Sequence, residues 1–424
     1  MRILWLNATL LLPLDKGGKI RTWHLMRHLA RRHEITYLTF AHPVEAEAHR
    51  PAMREVCSEL VSVPWQDAPK GSARFYAGVA ARLFDPLPYA VAKYRSAAYR
   101  REIETHLATG AYDRVVCDFL VPAVNLRRTP PCPSILFTHN VEAEIWRRHA
   151  ETATGPAARL LYRQQWRRMQ RFEGRTLARF DRILAVSDAD AATFREQYAD
   201  QVRSPIDVVP TGVDTDYFTP TPETFQRPKH IAFVGSMDWM PNEDGVLFFC
   251  REVLPRIRRE EPDVTLTIVG RSPTAAVKRL AQDRGIEVTG TVPDVRSHLG
   301  RAVATVVPLR VGGGTRLKIF EAMAAGKAVV STTIGAEGLP TESGRHLLIA
   351  DGAEAFAAAV LRVLREPELR RRIERDARTL VTTHYDWSVA AAQLERSLID
   401  AAAAEPAIAP SLRRGPAAAA RTVS

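Results

Sequence analysis

Two hydrophobic periods alternate along the chain. Short apolar runs, many of them rich in β-branched residues, recur at Ile3–Leu6, Ile35–Phe40, Val115–Cys117, Ser134–Phe137, Arg182–Val186 and Asp207–Pro210. They resume at Ile231–Val234, Thr265–Val269, Glu287–Thr289, Ala304–Val307, Ala328–Ser331 and Leu347–Ile349. Between them lie stretches with apolar positions at helical spacing, among them Ile20–Arg32, Val246–Arg258, Ala353–Arg365, Pro367–Thr383 and Ser388–Ala403. Apolar strands separated by helices predict parallel sheets covered on both faces, an α/β architecture. The polar, proline-bearing stretch after Thr211 has no strong period and separates two such sets. The expected organisation is a Rossmann-like domain over 1–212, a linker over 213–229 and a second Rossmann-like domain over 230–385. A helix over 386–403 and a low-complexity, disordered tail over 404–424 complete it. Two such halves imply a cleft between them.

The most informative stretch runs from Pro308 to Glu337. A strand ends at Pro308, glycines follow at 312–314, and a helical pattern begins with Leu317, Phe320 and Met323 inward. Glycines between a strand and a helix N-terminus let backbone amides approach an anion, which the orphan N–H groups of the first turn favour. Arg316 and Lys318 add charge, and Glu321 lies one helical step beyond Lys318. A carboxylate beside a phosphate cradle needs hydrogen bonds to accept, and ribose hydroxyls supply them, so the pattern points to a nucleoside diphosphate. Taken alone, the glycines fit an ordinary turn and the charges a solvated helix face. Gly17–Gly18, with Lys19 and Arg21 just beyond, offers a second place where amides and cations meet. His139 and Glu142 follow a buried strand, where ligands bind in open α/β sheets; capping the next helix is their alternative role.

The net charge of +11 favours an anionic partner. No helix-turn-helix, zinc-finger or aromatic RNA-binding signature is present, so nucleic acid is not expected. The four cysteines are widely spaced and fit reduced structural thiols. The N-terminal apolar stretch lacks a small-x-small cleavage site and reads as a first strand, so a cytoplasmic protein is expected. From Trp146 to Arg182 ten arginines accompany Tyr162, Trp166, Met169, Phe172 and Phe180 at roughly helical spacing. That pattern suits a core-facing stripe with a cationic back, or a helix on an anionic membrane with its aromatics at the headgroups.

These motifs occur in a definite order: Gly17–Gly18 with nearby cations, THNVE from Thr138, VPTGVD from Val209, FVGSMDWMPNEDG from Phe233, IVGR from Ile268, VTGTVPDV from Val288, and GGGTRLKIFEAMAAGKAVVST from Gly312. Over about residues 1–400 the set resembles glycosyltransferase family 4, more narrowly the bacterial sugar transferases of exopolysaccharide gene clusters. The resemblance implies a GT-B fold with the last helix crossing back to the first domain. It also implies retaining transfer from a nucleotide-diphosphate sugar to a lipid-linked or polysaccharide acceptor, at the inner face of the membrane. Glu321 matches the second glutamate of the family's E-x7-E motif, which grips the ribose. The first glutamate falls at Gly313, so no carboxylate is assigned to the sugar there; the amides of Gly313, Gly314 and Thr315 are expected to approach the sugar or diphosphate instead. The loop after Gly235 lacks the cation many relatives carry, leaving Arg316 and Lys318 as its substitutes. Gly17 and Gly18 match a diphosphate-facing loop and His139 a sugar-facing histidine. Lys19, Arg21, Asn140 and Glu142 are expected on the acceptor side, with no metal and no cofactor. The departure at Gly313 leaves two alternatives, a non-catalytic nucleotide-sugar-binding subunit and an epimerase of the same fold.

Overall fold

The computed structural model describes residues 1–66, 71–82, 84–311 and 316–401. Among them two wholly parallel sheets form. The first has the order β3-β2-β1-β4-β5-β6-β7, with β1 Arg2–Leu6, β2 Glu34–Ala41, β3 Glu59–Pro64, β4 Arg114–Asp118, β5 Ser134–Phe137, β6 Arg182–Ala185 and β7 Ile206–Val208. The second has the order β10-β9-β8-β11-β12-β13, with β8 His230–Val234, β9 Thr265–Val269, β10 Ile286–Gly290, β11 Ala304–Val307, β12 Ala328–Ser331 and β13 Leu348–Ile349. Ile3, Trp5, Val116, Ile135 and Phe137 are buried in the first core, and Ile231, Phe233, Ile268, Val306 and Val330 in the second. Covering helices bury both faces, which is why these strands carry little alternation.

Strand order reverses between β1 and β4 in one sheet and between β8 and β11 in the other. At such a switch point the flanking connections leave toward opposite faces, opening a crevice beyond the carboxyl ends of the strands. The segments that follow β1, β8 and β11 hold most of the expected site residues, and the segment after β5 holds His139, Asn140 and Glu142.

Several elements differ from expectation. Glu59–Pro64, with Pro64 at its end, is an edge strand too weakly patterned to stand out. The first helix is Gly17–Leu29, so the glycine pair lies in its first turn, not in the preceding loop. The helix expected over Val246–Arg258 begins at Met240, with Pro241 in its first turn, and runs to Glu260 through one wide turn at Phe249–Val253. The arginine-rich segment forms a hairpin of two helices, Glu142–Thr152 and Pro156–Leu177.

The chain passes between the halves twice, at adjacent places. Val213 donates its N–H to the Tyr385 carbonyl at 2.7 Å, and Trp387 donates to the Val213 carbonyl at 3.2 Å. The helix Trp387–Asp400 then packs on the first helix: Trp387 stacks on His24, and Glu395 meets Arg32 and His33 at 2.7 and 2.8 Å. Arg378 fastens the second half to the linker through the carbonyls of Thr215, Phe218 and Ala324.

The loops at the second switch point are in contact. A Cβ on Gly270 would lie 1.8 Å from the Gly235 carbonyl oxygen, a backbone atom with little room to yield. Gly270→Ala should therefore destabilise the protein by at least about 1–3 kcal/mol, read as a lower urea midpoint. An unchanged midpoint would show that the loops part freely.

Candidate functional site

At the switch point of the first sheet the central group is Asp118, the last residue of β4, with a side chain wholly withdrawn from solvent. Its Oδ2 accepts from Trp5 Nε1 at 3.1 Å, Asn7 Nδ2 at 2.7 Å and Thr22 Oγ1 at 2.7 Å. Its Oδ1 lies 2.6 Å from His139 Nε2. A carboxylate surrounded by donors only accepts, so His139 carries its proton on Nε2 and its lone pair on Nδ1. Burial pushes the His139 pKa down despite the pull of Asp118, which keeps the ring neutral at neutral pH. The ring lies flat against Phe119, 3.7 Å between centroids and 12° from parallel.

The neighbouring candidates divide. Gly18 presses on Phe119: a Cβ there would come 2.5 Å from the ring's Cζ. Lys19 is committed to its own loop, with Nζ 3.1 Å from Asp15 and 3.3 Å from the Pro13 carbonyl. Arg21 is wholly buried and gives its Nη2 to Thr211 Oγ1, so it is not exposed to an acceptor in this conformation. Burial lowers its pKa to about 9, against the attraction of Asp118 and Asp190, and it stays cationic at neutral pH. Asn140 hydrogen-bonds to the Glu142 side chain, whose pKa burial raises. The N-terminus of the Glu142–Thr152 helix is already satisfied, because Glu173 accepts from the amides of Glu142 at 2.8 Å and Ala143 at 3.2 Å. Burial raises the Glu173 pKa to about 7.

In the second half the expected residues converge around the start of the Leu317–Ala324 helix. Arg316 stands at its N-cap position, nearly buried, with Nη2 2.6 Å from the Ile334 carbonyl and 3.6 Å from Glu337. Lys318 reaches under the loop after β8, where Nζ bonds Asn242 Oδ1 and sits 4.7 Å above the Phe233 ring. Gly235 is glycine because a Cβ there would come 2.7 Å from Lys318 Nζ and 2.8 Å from Asn242 Nδ2. Burial pushes the pKa of Lys318 down to about 7 and that of Glu321 up to about 7, against their mutual attraction. Gly313, Gly314 and Thr315 lie outside the described residues.

The two halves meet around this space. Leu317 packs against the first core, Arg271 lies 4.0 Å from Asp15 across the cleft, and Arg148 of the helical hairpin is close enough to Arg316 to bear on its charge. Asp118, Phe119, Asn242 and Arg271 were not singled out as site residues, although Asp118 ends an apolar run and Arg271 ends the IVGR motif. The loop after β8 carries no cation of its own, but Arg271 of the loop after β9 reaches it. Its Nε bonds Ser236 Oγ at 2.8 Å and lies 3.5 Å from Asp238, so the charge arrives from the neighbouring loop.

Two family models match the chain: Glycosyltransferase Family 4 over residues 16–217 and Glycosyl transferases group 1 over residues 228–366. Among curated relatives, a phosphatidyl-myo-inositol mannosyltransferase of Mycolicibacterium smegmatis is 31% identical over 198 residues, 44% of this chain and 50% of the relative. An uncharacterised 44.6 kDa protein in the cps region of Klebsiella pneumoniae is 27% identical over 166 residues, 37% of this chain and 42% of that protein. The chain thus spans about half the length of the curated relatives it matches. Two solved structures share the fold across 94% of this chain. A sucrose-phosphate synthase from Thermosynechococcus elongatus has a TM-score of 0.67 at 18% identity over 99% of its chain. The Anabaena HepE protein in complex with UDP and glucose has 0.64 at 14% identity over 100% of its chain.

The paired shifts of Lys318 and Glu321 predict how a nucleoside diphosphate will bind. A diphosphate favours the Lys318 cation, so binding takes up a proton and weakens as pH rises above about 7. Ribose hydroxyls favour the Glu321 anion, so binding releases a proton and weakens as pH falls below about 7. Calorimetric titration from pH 5.5 to 8.5 should give an affinity maximum near neutrality, falling toward about tenfold per pH unit on either side. Lys318→Met should remove the alkaline fall. A flat profile would place both groups away from the ligand.

Proposed function

This chain belongs to glycosyltransferase family 4, and we propose that it transfers a sugar from a nucleotide-diphosphate sugar to a lipid-linked or polysaccharide acceptor, with retention at the anomeric carbon. The observation that carries this reading is that two unlike polar clusters lie at the two switch points, with Leu317, between Arg316 and Lys318 in sequence, packed against the core of the first half. Arg316, Lys318 and Glu321 form one, and Gly18 with the neutral His139 ring on the Asp118 carboxylate forms the other.

The chemistry follows from charge. Breaking the anomeric C–O bond leaves negative charge on the diphosphate and positive charge on the sugar. Arg316, Lys318 and the helix N-terminus stabilise the first; a preorganised donor in such a site is worth about 3–4 kcal/mol. These cations take the place of a metal. The acceptor oxygen bonds to the anomeric carbon on the face the diphosphate leaves, and its proton passes to the departing phosphate oxygen. His139 and Gly18 border the sugar. The relatives named for phosphatidyl-myo-inositol and for a cps region support a lipid or envelope-glycan acceptor.

A membrane-facing location has its own support. Arg159, Arg163, Arg167, Arg171 and Arg175 are all exposed on the Pro156–Leu177 helix. They repeat every four residues, about 6 Å apart along the axis. Among the described residues none forms a salt bridge. The aromatic side does not lie at headgroups: Met169 is in the core, with Trp166 and Phe172 packed against it. Contact with an anionic surface on the cytoplasmic side is therefore electrostatic, worth about 1 kcal/mol per cation near the surface.

The first experiment is a thermal-shift panel of UDP, GDP, ADP, CMP and dTDP compounds. A ligand at a hundredfold its Kd stabilises by about 2.7 kcal/mol. One base should shift the protein selectively and Glu321→Ala should lose the shift. Turnover of the matching sugar nucleotide, assayed with chelator present, should fall at least about a hundredfold in Arg316→Ala. Normal activity in both variants would sink the site. Donor binding without transfer to any acceptor would favour a binding subunit, and sugar conversion without acceptor an epimerase.

Liposomes of anionic lipid should sediment the protein at low salt and release it at about 0.5 M salt, where the Debye length falls to a few ångström. Arg163→Glu with Arg167→Glu and Arg171→Glu should not sediment. Equal sedimentation of that triple variant would assign the contact to another face.

A further inference from the structure

We propose that Phe119 is a positioning residue, whose ring holds the imidazole of His139 and the first turn of the Gly17–Leu29 helix at one fixed separation. Phe119 follows Asp118 directly and has φ of 68°, a left-handed conformation that is uncommon for a bulky side chain and that glycine adopts readily. The turn is pinned on both sides, with Phe119 N–H donating to the Phe137 carbonyl at 2.8 Å and Cys117 Sγ 3.5 Å from the Phe119 carbonyl. A backbone held where glycine would sit without strain, yet carrying a large aromatic, points to a use for the ring.

The ring has two neighbours. One face covers His139 at 3.7 Å and 12°, nearer and more parallel than the offset or edge-on arrangements aromatic rings prefer. The Phe137 ring approaches the imidazole from elsewhere, at 4.9 Å and 43°. Its tip meets Gly18, where a Cβ would come 2.5 Å from Cζ. The imidazole is thus fixed by Asp118 at Nε2 and by Phe119 and Phe137 against its ring, which sets the direction of the Nδ1 lone pair. The same ring spaces that lone pair from the helix turn carrying Gly17 and Gly18. A sugar bound by one and a diphosphate bound by the other are joined by a single oxygen, so an error in this spacing is felt at the anomeric carbon. The purpose of the clamp rests on the transfer reading; its existence does not.

The test uses Phe119→Gly, which accepts the backbone conformation, and Phe119→Leu, which keeps apolar bulk without a flat face. Ring-nitrogen NMR of the ligand-free protein, with His139 assigned through His139→Gln, reads the clamp directly. Wild-type His139 should show one fixed tautomer with no titration near pH 6.5, whereas Phe119→Gly should show averaged tautomers and a midpoint moved toward that value. In transfer assays kcat should fall at least tenfold in both variants, with donor KM within threefold and melting temperature little changed in Phe119→Gly. An unchanged His139 signal in both variants overturns the proposal, as does full turnover with a freed ring. If the wild-type protein turns over no donor, the transferase reading fails and the NMR signal alone decides the clamp.

Discussion

A buried carboxylate organises the first half of this protein. Asp118 draws donors from β1, from the residue after β1, from the first helix and from the second residue after β5, so one carboxylate fixes the relative positions of four segments at the switch point. Removing such a charge from water costs several kcal/mol, recovered only when every lone pair is met in good geometry. Four donors at 2.6–3.1 Å, three on Oδ2 and one on Oδ1, supply that compensation. The arrangement is stiff because any displacement of one donor leaves the charge under-solvated. That stiffness suits a surface against which a sugar is oriented. It also explains why His139 stays neutral: the carboxylate attracts a second proton to the ring, yet burial and the flanking aromatics deny the cation any solvent.

The second half works on the opposite principle. Lys318 and Glu321 are both displaced toward neutrality by burial, and the one hydrogen bond shown for Lys318 Nζ goes to the neutral amide of Asn242. Arg316 has a carbonyl at 2.6 Å but its carboxylate partner only at 3.6 Å. For Lys318 and Glu321, whose charged forms burial disfavours, a bound diphosphate and ribose would supply interactions that favour ionisation.

Much of this was legible in the sequence, and the reasons are specific. Strands buried on both faces are predominantly apolar, with only Ser and Thr among them here, so Ser134–Phe137, Thr265–Val269, Ala304–Val307 and Ala328–Ser331 match expectation residue for residue. Glu59–Pro64 did not announce itself because an edge strand needs less apolar surface. That Lys318 and Glu321 are neighbours was legible because a helix imposes fixed spacing. Asp118 and Arg271 were not, since their roles depend on partners more than 20 residues away, a relation that no local period encodes. Phe119 was hidden for a different reason: φ is a property of the backbone, and a phenylalanine after a strand reads as core. The arginine hairpin was legible as a helix but not as to which side faced outward, because an aromatic stripe is equally apolar against a core or a bilayer.

The two principles act together through how the halves are joined. Both crossings lie side by side at Val213 and Asp386, tied by two backbone hydrogen bonds, while Gly212 leaves no space between itself and Trp387. The covalent links therefore sit at one edge of the cleft. Across its open side the contacts on view are Leu317 against the first core and a 4.0 Å approach of Arg271 to Asp15. A join of that kind resists separation but opposes rotation weakly, as hinge closure around a ligand requires. The buried Lys318 of the second half would gain charge on binding an anion, and the carboxylate network of the first half supplies a surface that does not yield. Were both halves rigid, a bulky donor could not enter; were both soft, the anomeric carbon would not be held.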